Sequence, residues 1–189
     1  MALRRLSDPA PSGSPKASPS GRQLRVPQPE TPPSNAESRA AREDVLVRLM
    51  FTPGSSPLEA THAFLCAYTA ERLSPLVGQR VCVAAHELLS NATSYATRGD
   101  IVLEIVQRVG RVSVRVTNST IPARISMLTQ QLEKIRESPE DAFNAELKRS
   151  LAGGVVRPML GLARIAHEVG FALALDVQSE RVVVSAHAR

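Results

Sequence analysis

The chain has 189 residues, with 23 Lys and Arg against 18 Asp and Glu and a net charge of +5. That excess is concentrated at one end: residues 1–43 hold seven basic and four acidic side chains, eight of the fourteen prolines and no aromatic residue, while the remainder carries sixteen basic against fourteen acidic. A nearly neutral, aromatic-poor remainder argues against a base-stacking nucleic-acid surface, and no apolar run approaches the ~20 residues of a membrane span.

Residues 1–43 cannot bury enough apolar surface to offset the entropy of ordering, so a disordered basic tail is expected ahead of a domain at 44–189. Met1–Leu6 begins like the charged region of a signal peptide, but no apolar segment follows it. Asp44–Phe51 alternates at Val45, Val47, Leu49 and Phe51, the period of a half-buried strand. Ser56-Pro57-Leu58-Glu59 reads as a capping box with proline at the first helical position, opening a helix to about Leu73. Ser74-Pro75 repeats that start signal. The second helix recurs in apolar residues at Val77, Val81, Ala84, Leu88, Ala92 and Tyr95, and Gly99 is available as its left-handed cap.

Ile101–Arg108 and Arg111–Thr117 are β-branched runs joined around Gly110, a hairpin signal. Asn118-Ser119-Thr120 reads as the cap of a helix whose stripe is Ile121, Ile125, Leu128, Leu132 and Ile135. Ser138-Pro139-Glu140-Asp141 opens another, ending at Gly153-Gly154. A further helix runs to Gly170, and Phe171–Val177 with Arg181–His187 forms a second hairpin. This order implies an α+β fold, a two-layer sandwich with a mixed, mainly antiparallel sheet and helices on one face.

Within the second helix, Glu87 and Asn91 are four residues apart and stack on one face. A carboxylate and an amide carbonyl held on a packed scaffold can hold a hydrated Mg²⁺ and orient water beside a phosphate chain. The same pair also reads as an ordinary solvated helix face. Cys66 and Cys82 fall on predicted helices with no metal spacing, which suits free thiols in a reducing cytoplasm, with a regulatory disulfide as the alternative. His62, His86, His167 and His187 form no relay or zinc pattern with their sequence neighbours, so hydrolase and metalloenzyme readings are disfavoured.

The stretch His86-Glu87-Leu88-Leu89-Ser90-Asn91-Ala92, followed by a hairpin, a polar turn and a late Gly-Leu helix, resembles the ATP-binding fold of the GHKL superfamily, the Bergerat or HATPase architecture. The anti-sigma-factor serine kinases are the most similar branch, and within it the SiaB-type kinases, which share an altered loop after the hairpin and a helical segment in place of a glycine-rich lid. The resemblance covers roughly 44–189. It implies ATP and Mg²⁺ as cofactors, Asn91 as the metal ligand and Glu87 as the group that polarises the nucleophile. The family's Asp-x-Gly-x-Gly turn corresponds to Asn118-Ser119-Thr120-Ile121-Pro122. Asn118 keeps an oxygen that can accept from an adenine amino group, but neither glycine survives. The lid pattern corresponds to Arg157-Pro158-Met159-Leu160-Gly161-Leu162. There Gly161 matches, and Arg157 can act as a phosphate clamp. Plain helix capping accounts for Asn118 and for Gly153-Gly154 equally well, and Gly161 equally suits a close-packing point between helix and sheet. The resemblance implies a cytoplasmic regulator acting on a protein partner of the STAS or anti-anti-sigma type. The alternative is a nucleotide-free pseudokinase of the same fold, using the 121–136 helix for a homodimer or a partner groove.

Overall fold

The computed structural model describes residues 43–52, 58–153 and 158–188. In chain order these form β1 (Asp44–Phe51), α1 (Leu58–Arg72), α2 (Pro75–Tyr95), β2 (Arg98–Arg108), β3 (Arg111–Ser119), α3 (Pro122–Glu137), α4 (Pro139–Gly153), α5 (Pro158–Arg164), β4 (Ala172–Gln178) and β5 (Arg181–His187). Helix α5 continues as one π-helical turn over Ile165–Val169 and ends at Gly170 with φ 74°. Of the expected tail, only Glu43 is among the described residues, and the expected Ser56-Pro57 start of α1 lies outside them.

The strands make one sheet in the order β1-β2-β3-β5-β4, antiparallel at every pairing. The expected α+β two-layer sandwich is present, but the mixed sheet is corrected to a wholly antiparallel one among the described strands. The β4–β5 hairpin docks through β5 rather than β4, which sets β5 opposite in direction to β3. Side chains alternate faces along a strand. Ile101, Leu103 and Ile105 of β2, Val112, Val114 and Val116 of β3, and Val182, Val184 and Ala186 of β5 are all buried on one face. Helix α2 lies against β2 and β3 on that face and contributes Val81, Ala84, Ala85, Leu88, Leu89 and Ala92 to the core, while α1 packs on α2.

Two expected caps are replaced by strand pairing. Gly99 has the anticipated left-handed φ of 67°, yet it sits in β2, where the register against β3 shifts between Arg98 and Val102. Helix α2 has already ended at Tyr95, because the Thr97 N–H donates to the Ser119 carbonyl at 3.0 Å and draws the chain into the sheet. Likewise Asn118 and Ser119 do not cap α3. They pair with Val182 and Arg181 of β5, and the α3 cap position is Ile121, with no side-chain hydrogen bond. Ile121 is consequently exposed and leaves the expected stripe, while Leu128, Leu132 and Ile135 stay buried. The start signal at Ser138 is realised: Asp141 N–H donates to Ser138 Oγ at 3.3 Å, and the hydroxyl donates to the Asp141 carboxylate at 2.8 Å.

Candidate functional site

Helix α2 is 21 residues long and carries Glu87 and Asn91 on the face that meets α5. The Glu87 side chain is 17% exposed and Asn91 only 5%. The pair therefore does not face open solvent. Close approach of α5 depends on Gly161: a Cβ at that position would collide with the Glu87 carboxylate and stand 3.2 Å from Glu87 Cβ. One turn further along α5, Arg164 donates from one terminal nitrogen to Glu87 Oε1 at 3.0 Å and from Nε to Glu168 Oε2 at 2.7 Å. The hydrogen bond that Arg164 donates to Glu168, and then the one to Glu87 with the charges of both carboxylates, raise the Arg164 pKa against the lowering effect of burial.

Asn91 lies on the same stripe between Glu87 and Tyr95. Its side-chain Oδ1 is buried without a hydrogen-bond partner. Buried amide oxygens nearly always find a donor, and an unmet one needs a reason, such as an ion or ligand that completes it. An Asn carbonyl is a suitable oxygen for Mg²⁺, a cation that keeps several waters and takes few protein ligands when phosphates supply the rest. Among the described residues no group of three His, Cys, Asp or Glu side chains is placed to hold a metal ion, so the fit rests on this one amide.

Beside this stripe is a cavity of ≈240 Å³ between Tyr95 of α2, Met127, Gln130, Gln131 and Lys134 of α3, Glu146 and Arg149 of α4, and Met159 of α5. Glu146 is 3% exposed and forms an ion pair with Arg149. Lys134 and Arg149 set two cations against that single carboxylate. The Tyr95 ring is covered on one side by the Arg124 guanidinium, 4.9 Å from its centroid, and Arg124 also donates to the Ser94 carbonyl at 3.0 Å. Met159 lines the cavity. Thr120 is tied back, its hydroxyl donating to the Tyr95 carbonyl at 2.7 Å.

Of the residues singled out from sequence, Glu87 and Gly161 are brought into contact, and Asn91 lies on the same stripe. Asn118 is buried on β3, sharing the helix-facing parity of Val114 and Val116, near the end of α2 through the Thr97 and Thr120 hydrogen bonds. Arg157 lies outside the described residues. Sequence reasoning missed Arg164, although its spacing of three from Gly161 places both on one side of a helix. It also missed the Glu146–Arg149 pair, whose signal is an acidic residue four after the buried Ala142.

No family model matches the chain, and no curated protein does. Among solved structures, the chain is similar to one in the crystal structure of the SiaB-SiaC complex from Pseudomonas aeruginosa. The TM-score is 0.59 at 21% identity, over 76% of this chain and 89% of that one. Such a likeness is one of fold. No helix among the described residues is long and apolar enough to cross a membrane.

Proposed function

We propose that the chain is a cytoplasmic signalling regulator of GHKL type that binds Mg·ATP beneath α5 and acts on a protein partner. The buried, unpartnered Oδ1 of Asn91 is the observation that carries this reading. Asn91 would offer that oxygen to Mg²⁺. Bound there, Mg·ATP would supply a transferable phosphoryl group with its charge neutralised. Lys134 and Arg149 line the neighbouring cavity with positive charge, and Asn118 is the proposed adenine acceptor, with Arg157 as phosphate clamp. Arg164 engages Glu87 Oε1, so Glu87 acts most freely as a base toward a partner hydroxyl once the half-exposed Arg164 side chain swings away. The similarity to a chain crystallised in a two-protein complex supports a protein partner, here one of the STAS or anti-anti-sigma type.

A second reading, a nucleotide-free partner-binding module, is favoured by one observation. The Glu87 carboxylate is engaged by Arg164 across α2 and α5. Thermal melting separates the two. Ligand at 100 times its dissociation constant stabilises by about 2.7 kcal/mol, so Mg·ATP should raise the melting temperature of the wild type. Calorimetry should detect no binding to Asn91→Ala. An unchanged melting temperature at millimolar Mg·ATP leaves the nucleotide-free module, and equal affinity in the variant removes Asn91 as the metal ligand.

A further inference from the structure

The α1–α2 pair carries chemistry that the nucleotide site does not use. His62 and Cys66 are one turn apart on α1, and Cys82 and His86 are one turn apart on α2, so packing of the two helices gathers all four. His62 Nε2 lies 3.6 Å from Cys66 Sγ, and the His62 and His86 rings meet edge-on with centroids 5.2 Å apart. Both cysteines are free, and both line one cavity of ≈290 Å³, together with Thr69, Ala70, Pro75 and Gly78. Gly78 allows the close approach, since a Cβ there would stand 3.3 Å from the Thr69 carbonyl oxygen.

The two thiols are not equivalent. Cys82 is buried and lies 3.2 Å from the Thr69 hydroxyl; burial first, and then Cys66 beside it, raise its pKa to about 11 against the opposing pull of the Thr69 hydrogen bond. Cys66 is half-buried and has a histidine nitrogen beside it. The Nδ1 atoms of both histidines are buried without partners, which leaves Nε2 as the nitrogen through which His62 meets the thiol.

We propose that Cys66 and Cys82 are an oxidisable pair, with Cys66 the thiol that a peroxide reaches first and Cys82 the thiol that closes an intramolecular disulfide between α1 and α2. In the first step the Cys66 thiol passes its proton to His62, and its sulfur attacks one peroxide oxygen. The O–O bond breaks, the leaving hydroxide takes the proton back from His62 and departs as water, and Cys66 becomes a sulfenic acid. In the second step the Cys82 sulfur attacks the sulfenic sulfur, the S–O bond breaks, the S–S bond forms, and a second water leaves with the Cys82 proton. The two sulfurs together lose two electrons, which reduce one peroxide to two waters, and an external dithiol reverses the change. The new bond would fix α1 to α2 one turn from His86, the residue preceding Glu87.

The test uses the full chain treated with hydrogen peroxide and then alkylated. The wild type should lose the mass of two hydrogens. Non-reducing tryptic digestion should then yield the peptide ending at Arg72 joined to the peptide ending at Arg98, and dithiothreitol should restore both thiols. Cys82→Ser should accumulate a sulfenic acid at Cys66, trapped by dimedone, with no cross-link. Should that variant fail to fold, the wild-type cross-link decides alone. Disulfides only between copies of the chain, or both thiols remaining equally open to alkylation after peroxide, would overturn the proposal.

Discussion

Gly161 shows how a single missing side chain sets the geometry of the site. Its hydrogen faces the Glu87 carboxylate where any Cβ would collide, and Arg164 then closes on the same carboxylate from one turn away. Gly161→Ala should destabilise the fold by ~1–3 kcal/mol, the usual range for overpacking, read as a lower urea midpoint. In the Glu87→Ala background the penalty should largely vanish, because the atoms that clash are Glu87's own. An equal penalty in both backgrounds would place the clash elsewhere. The sequence held this much: a glycine in a Gly-Leu helix as a close-packing point, expected against the sheet where the structure packs it against α2, and a Glu-Asn pair on one helix face. It held no sign that the two belong together, since 74 positions separate Glu87 from Gly161 and only packing of α5 on α2 joins them.

At the scale of elements, the join between α2 and β3 decides what surrounds Tyr95. The Thr120 hydroxyl caps the Tyr95 carbonyl, and the Thr97 amide bonds the Ser119 carbonyl, so the end of the helix and the end of the strand are tied together. Thr120→Val keeps the shape but leaves that carbonyl without the bond, at a cost of about 1 kcal/mol. Urea unfolding checks the loss, and an unchanged midpoint would mean that another donor, such as water, takes over. Element identity was legible wherever periodicity was strong: β1, α2, both hairpins, and α4 with its Ser138 cap form over the expected stretches. The ends were less legible. Asn, Ser and Thr favour helix caps locally, but Asn118 and Ser119 pair with β5 and the Thr120 N–H bonds the Glu180 carbonyl just before it, and a strand paired on both sides outweighs a cap.

Across the whole molecule, the sheet face away from the helices ties the start of β1 to the sheet's centre. Arg115 of β3 forms an ion pair with Glu43, and Ser113 bonds His187 Nδ1 at 2.8 Å. Burial, with Arg115 adding to it, lowers the His187 pKa below 6.5. The hydrogen bond from Arg115 lowers the Glu43 pKa below 4.5. Both groups bind fewer protons folded than unfolded, so stability rises with pH. The His187 contribution is complete above 6.5 and is lost as pH falls through its lower folded value. That of Glu43 is lost in the same sense at more acid pH. The urea midpoint of the wild type should therefore fall between about pH 7 and about pH 5, and His187→Gln should flatten that part of the profile while leaving the more acid step. A wild-type midpoint that stays level over the window contradicts the assignment.

Sequence alone determined the two-layer architecture, because the periods of apolar residues specify which face of each helix and strand must be buried, and burial is local information. Tertiary structure alone decided that Glu87 is held by Arg164 under Gly161, that Asn91 is left with a buried and unanswered oxygen, and that two thiols share one cavity. Each of these depends on groups distant along the chain meeting at a few ångströms, and contact at that range is set by helix packing rather than by the spacing of residues within any one segment.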